Sequence, residues 1–305
     1  MKLAIRYRWL ICLYLIFLLC LVTDMAIAEE GYDHDHGPEP FGLDWSRGWF
    51  EPAIHSHLNV RQTPYIHPFI TEPAFTRRDL VLNYNYRDVA EQNEHKIEAE
   101  LEWAFTRRLG MIVEVPYSFV DPHEGSAING LENVAISPRI LLAEYDRFLL
   151  AGNLEIETPT TDSDRGLAEN ETALAPSLSM WADLGHWWTL NTQSGMEYTT
   201  KSKQSELFVR TSVIHTLGTP AHNVGHTDQD HMRHGLPPGF LSFIIETDLA
   251  VGLSGDEDGN WSAEGLLGLN FGLAENMDLR AAYVFPLSQS QALNNGITCG
   301  LIRHF

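Results

Sequence analysis

Cysteine is almost missing from this chain of 305 residues: of its three, Cys12 and Cys20 lie within the first 28 positions, which leaves Cys299 alone. One thiol cannot close an intrachain bridge, so no disulfide framework holds the fold. Long apolar runs are lacking beyond residue 28. No later stretch reaches the about 18 apolar residues that mark a membrane helix, which excludes a helical membrane protein. Basic residues are few, 20 Lys and Arg against 41 Asp and Glu. That balance makes nucleic acid and anionic surfaces poor partners. Long amphipathic helices are lacking as well.

The start of the chain has a different composition. Lys2, Arg6 and Arg8 precede the apolar run Trp9 to Val22, and "AIA" follows at Ala26 to Ala28. A basic start, an apolar core too short to span a bilayer and a small-x-small site predict a secretory signal peptide over residues 1–28. Its removal takes away Lys2, Arg6, Arg8 and Asp24, leaving 17 basic against 40 acidic residues and a formal net charge of −23.

From Asp79 onward the chain alternates. In "IEAELEWAF" the apolar Ile97, Ala99, Leu101, Trp103 and Phe105 occupy every second position, with Glu98, Glu100 and Glu102 between them. Glu, Ala and Leu are good helix formers. A helix would spread these glutamates around its circumference, whereas a strand puts all of them on one face, so the period decides for a strand. Twelve such strands are predicted, over 79–88, 96–106, 111–120, 131–142, 148–158, 172–182, 187–198, 206–217, 240–252, 261–272, 278–287 and 296–305. Most approach the roughly 9 to 11 residues with which a tilted strand crosses a bilayer.

Their connections differ in kind. "TRRLG", "AEYDR", "DLGH" and "LAENMD" are tight, while "DPHEGSAING", "TPTTDSDRGLAEN", "TTKSKQSE" and "LSGDEDGN" are long and polar. Short turns at one rim and long loops at the other are the pattern of an outer-membrane barrel. Pro116, Pro159 and Pro286 each follow an apolar strand. Proline cannot donate to a ladder, so all three are expected at strand ends near the outer rim. The last segment, "GITCGLIRHF", is an amphipathic strand ending on Phe305, which resembles the terminal strand that insertion machinery reads in bacterial outer-membrane proteins.

"GLENVAISPRILL", "LLAGNLEIETPTTD" and "LGLNFGLAENMDLRAAYVFPLS" resemble the outer-membrane barrel family named after the meta pathway of phenol degradation, over about Asp79 to Phe305. The resemblance implies a barrel that carries small aromatic or hydrophobic solutes. Residues 29–78 lie outside it and are expected to form a His- and Pro-containing segment, either a periplasmic extension or a plug.

Placing apolar residues toward lipid fixes the lumen by alternation. Glu98, Glu100, Glu102, Glu114, Glu155, Glu157, Glu246, Asp248 and Glu264 then point inward, with Arg87, Arg139, Arg210 and Arg280. A charge on the lipid face costs about 2 to 4 kcal/mol at mid-membrane, so the polar face must be the inner one. An acidic lumen favours cations. The opposing arrangement is a lumen whose acids and arginines pair into a closed plug. Trp103, Tyr117, Trp181, Trp187, Trp188, Tyr198, Trp261 and Tyr283 are expected in interfacial girdles.

Histidine is abundant, fourteen in all. His34, His36, His55 and His57 form one group; His222, His226, His231 and His234 form another, and strand counting puts both at the periplasmic side. With the nearby aspartates they offer a zinc or copper site, or else are solvated loop residues that buffer near neutral pH. The 22 residues from Gly218 to Gly239 are long for a periplasmic turn. Such a length suits either a special loop folded toward the lumen or an extracellular one.

No nucleophile, base and orienter form a recognisable set, so no enzyme is expected and no cofactor is required. The sequence thus predicts an all-β chain: residues 1–28 a leader, 29–78 a separate segment, and 79–305 a twelve-stranded antiparallel barrel in the bacterial outer membrane. Lipid and lipopolysaccharide would surround it, and a small solute would be its cargo. The contrasting function is a metal-binding or structural barrel without transport.

Overall fold

The computed structural model describes residues 39–305, apart from 44, 55, 162–166, 168–170, 218–235, 237, 256–257 and 289–291. The leader, His34, His36, His55, His222, His226, His231 and His234 lie outside the described residues. Thirteen strands run in chain order. They are β1 (Arg78–Val89), β2 (Gln92–Ala104), β3 (Leu109–Pro122), β4 (Ile128–Leu131), β5 (Val134–Tyr145), β6 (Phe148–Thr158) and β7 (Ala173–Gly185), followed by β8 (Trp188–Thr199), β9 (Ser205–Leu217), β10 (Leu241–Ser254), β11 (Trp261–Ala274), β12 (Met277–Pro286) and β13 (Leu293–His304).

Twelve of them form one closed antiparallel ladder, with the four-residue β4 added beside β3. Closure comes from β1, which pairs with β2 on one side and with β13 on the other, Asp79 opposite His304 and Arg87 opposite Gly296. A closed sheet leaves no long edge unpaired, the condition for strands inside a bilayer. Among the described residues no helix is long and apolar enough to cross a membrane.

The outer face carries Leu82, Tyr84, Ile97, Leu101, Ile245, Leu267, Leu269, Leu279 and Ile297, each 40 % exposed or more. A belt of this kind far exceeds what a soluble surface tolerates and fits lipid contact. Register carries the inward parity around the ring: Glu100 lies opposite Val81 and Glu114, Asp248 opposite Arg210 and Glu264, and Arg280 opposite Asn270 and Gly300.

Three details depart from the sequence reading. Pro116 is not at a strand end, because β3 runs on to Pro122. It sits where the partner of β3 changes, since pairing with β5 ends at Glu114 and pairing with β4 begins at Tyr117, so its missing N–H costs no ladder bond. The expected strand over 131–142 divides into β4 and β5, because Glu132 and Asn133 leave the ladder. Trp181 is fully buried inside the barrel rather than in a girdle, with its ring 4.7 Å from that of Tyr65. It faces Leu149 and Asn191, on the lumen side of its strand.

Both ends of the ladder sequence, Arg78 and His304, lie at one rim, called here the terminal rim. The two-residue connections 146–147, 186–187 and 275–276 turn at this same rim. His186 and Trp187 both adopt left-handed backbone, φ 51° and 59°, as a two-residue hairpin turn matched to strand twist requires. Leu217 and Leu241, which bound the β9–β10 connection, are paired at the terminal rim as well.

Candidate functional site

The lumen is divided by height. Its terminal half is filled by residues 39–77, and the segment's apolar residues meet inward-facing wall residues. Phe41, Tyr65, Ala74 and Phe75 pack with Leu141, Leu149, Ala151 and Trp181. Ile66, with Phe69 and Ile70 beside it, packs with Ile214, Ile244, Leu266, Ala282 and Val284.

An irregular chain inside a barrel must satisfy its backbone polar groups from the wall. Glu246, 1 % exposed, accepts the backbone N–H of Phe69, of Ile70 at 3.1 Å and of Thr71 at 3.0 Å, together with the Thr71 hydroxyl at 3.1 Å. Arg280 donates to the Pro68 carbonyl at 2.8 Å and lies over the Phe69 ring. Arg139 donates to the Phe75 carbonyl at 2.8 Å, pairs with Glu72 and approaches Glu102 at 3.6 Å. Gln193 accepts the Glu72 N–H, and Asp183 accepts from the Thr63 hydroxyl at 2.8 Å. Nearer the rim, Arg108 donates to the carbonyls of Gly42, Arg47, Leu141 and Leu142 and stacks over Phe41.

One wall position admits the segment by having no side chain. A Cβ on Gly268 would stand 2.5 Å from the Phe69 ring and 3.2 Å from Ala282 Cβ. Gly268→Val is therefore expected to push Phe69 off the wall at a cost of about 1 to 3 kcal/mol. Faster limited proteolysis within residues 39–77 of the otherwise intact barrel would record it, and an unchanged cleavage rate would count against this contact.

Above the segment the lumen is wetter. Glu98, Glu114, Glu155 and Glu157 are partly exposed there, while Glu100 lines a small cavity with Phe69, Thr71 and Glu72 of the segment. Glu100 and Glu114 are direct cross-strand partners, an arrangement that repels. Glu98 contacts Lys96 at 2.7 Å, Asp248 contacts Arg210 at 3.3 Å, and Glu264 pairs with Arg87. Among the described residues no ion pair joins Glu100, Glu114 or Glu155 to a basic side chain. The predicted lumen residues thus separate into two groups. Glu102, Glu246, Arg139 and Arg280 hold the segment, Glu100 lines a cavity against it, and the other acids line the half above it.

The closed ring of antiparallel strands is matched in solved structures. An outer-membrane channel from Pseudomonas putida F1 superposes with a TM-score of 0.54 at 10 % identity, over 79 % of this chain and all of that one. The NanC porin does so with a TM-score of 0.50 at 9 % identity, over 74 % of this chain and all of that one. The chain has the fold of an outer-membrane β-barrel. No protein-family profile matches its sequence, and no curated protein is similar to it.

At the terminal rim this outer-membrane barrel holds a second group of polar residues. His57 and His67 from the segment, Asp79 from β1 and His304 from β13 are all buried and converge. Asp79 lies 3.0 Å from His57 Nε2, 2.9 Å from His67 Nε2 and 2.8 Å from His304 Nδ1. Burial lowers His57 to about 4 against the pull of Asp79, so its ring is neutral. Burial also disfavours the charged form of His67, but Glu102 and Asp79 outweigh it and raise that group to about 10.

Of the histidines expected to bind metal, only His57 falls in this group. Sequence spacing had no means of reaching His67, Asp79 and His304. The parity that turns Asp79 and His304 inward is visible in their strands, but their meeting depends on ring closure.

Proposed function

We propose that this chain is an outer-membrane channel for small solutes, closed in its terminal half by residues 39–77 and drawing cations through its acidic outer half. The observation that carries this reading is the division of the lumen. Below, polar wall groups are spent on the segment's backbone; from the cavity against the segment upward, the opposed Glu100 and Glu114, with Glu155, have no basic partner in an ion pair among the described residues. Carboxylates focused in a low-dielectric tube attract cations and repel anions.

Planar-bilayer recording of the full chain under a salt gradient tests this. The reversal potential is expected on the cation-selective side, and the triple variant Glu100→Gln, Glu114→Gln, Glu155→Gln should lower the cation-to-anion permeability ratio about threefold or more. Anion preference, or no conductance even after the segment is loosened, would refute it. The latter outcome would leave a structural barrel.

The family resemblance supports a second class of cargo, aromatic or hydrophobic solutes. Liposome uptake of a neutral phenol, absent from empty liposomes, separates that cargo from cations. The outward Phe305, its ring 6.4 Å from Trp103, fits recognition by insertion machinery, with lipid and lipopolysaccharide around the belt.

A further inference from the structure

The four buried side chains at the terminal rim are poorly explained by hydrogen bonding alone. His57 Nε2 and His304 Nδ1 lie 3.1 Å apart and both face the Asp79 carboxylate, His57 Nε2 at 3.0 Å from either oxygen and His304 Nδ1 at 2.8 Å from Oδ1. If both donate to that oxygen, two N–H dipoles stand side by side and repel. If one accepts instead, a buried carboxylate loses a donor. A cation between the rings, taking a lone pair from each, removes the conflict.

The surroundings fit such an ion. The ligand atoms of His57, His67, Asp79 and His304 all lie within 4.8 Å of one another, and adjacent ones are 2.8 to 3.1 Å apart. Bonds of about 2.0 to 2.1 Å in a tetrahedron place ligand atoms about 3.3 Å apart, between those limits. Behind two of the rings stand further carboxylates: Glu102 is 3.1 Å from His67 Nδ1, and Asp278 is 3.5 Å from His304 Nε2. A carboxylate on the far nitrogen is what orients a metal-binding imidazole.

We propose that His57 Nε2, His67 Nε2, His304 Nδ1 and the Asp79 carboxylate bind one divalent transition-metal ion of the zinc class. Binding displaces the protons that His67 Nε2 and His304 Nδ1 hold toward Asp79, both released to solvent, while His67 Nδ1–H stays on Glu102. Four protein ligands leave no open position, so the ion is structural rather than catalytic. Its effect follows from where the ligands originate. Asp79 and His304 are register partners across the β1–β13 seam that closes the barrel, and His57 and His67 belong to the inner segment. One ion therefore ties the segment to the seam. The site does not depend on whether the barrel conducts.

The test uses the full chain, purified in detergent and stripped with EDTA, titrated first with Co²⁺ and then with Zn²⁺ in competition. One equivalent of Co²⁺ should bind with the visible absorption of a four-coordinate site, and Zn²⁺ should displace it. His57→Gln lies outside the strands and should leave the barrel resistant to SDS at room temperature. It should weaken metal binding by about 100-fold, since even loss of a group behind a ligand costs about 10- to 100-fold. His67→Gln should do the same, and Glu102→Gln should cost about tenfold. A chain in which His34, His36, His222, His226, His231 and His234 are all replaced by Asn should keep the tight equivalent. Tight binding that survives His57→Gln and His67→Gln, or that disappears with the six other histidines, overturns the assignment. Absence of tight binding in the intact chain does so as well.

Discussion

Replacing Glu246 by alanine should open the barrel. In the parent structure this buried carboxylate accepts three successive backbone N–H groups, those of Phe69, Ile70 and Thr71, and one hydroxyl. Truncation leaves those donors inside the lumen without their partner. Each orphaned donor costs about 1 to 3 kcal/mol, reduced where water enters. A total loss of roughly 3 to 6 kcal/mol is of the size needed to take a two-state equilibrium from almost wholly closed to mostly open, about 5.5 kcal/mol.

Single-channel recording should then show long-lived conductance about tenfold or more above that of the parent chain. Glu246→Gln, which keeps one acceptor oxygen, should fall between the two. Equal conductance in all three chains would mean that the segment does not close the lumen. The strands themselves should be unaffected, because Glu246 lies mid-strand with its ladder bonds intact and its side chain reaches only inward.

The second large effect concerns stability. Arg139 is 2 % exposed and bonds to Phe75 O, Asn153 Oδ1 and Glu72, with Glu102 at 3.6 Å. Arg139→Met keeps the volume but strands Glu72 and leaves Glu102 with His67 alone. Removing one member of a buried ionic cluster typically costs about 3 to 5 kcal/mol, mostly the penalty of the charge left behind.

Urea unfolding of the refolded barrel should show that loss as a lower midpoint with an unchanged slope. Arg139→Lys should recover little, since an ammonium lacks the planar fork that reaches a carbonyl and a carboxylate together. Adding Glu72→Gln to Arg139→Met should return most of the stability. If the double variant is as unstable as the single one, the loss reflects packing and not stranded charge.

The extent to which this fold can be read from sequence depends on the range of the interactions. Strand parity is local, so "IEAELEWAF" declares its inward glutamates without help from the rest of the chain, and the register of β2 against β1 and β3 agrees with that reading. Trp181 was misplaced because an aromatic near a strand end suits a girdle on composition alone. Its inner partners include Tyr65, over a hundred positions earlier in the chain. The same distance hides the role of Glu246, whose partners at Phe69 to Thr71 lie about 175 positions away. A carboxylate that binds backbone amides and one that attracts passing ions look alike in a sequence. Proline and threonine in "HPFITEP" signal irregular chain, but do not reveal that a barrel surrounds it.

The path of the inner segment has a topological consequence. Phe41 bridges to Glu144 at the terminal rim, the chain climbs to its apex at Phe69–Thr71 beside Glu246, and it returns to the same rim at Arg78. A loop whose described ends share one rim is not threaded through the ring. It can be withdrawn and reinserted without parting any pair of strands. Gating of this kind costs only the contacts made by the loop, and the membrane-spanning wall stays whole in both states.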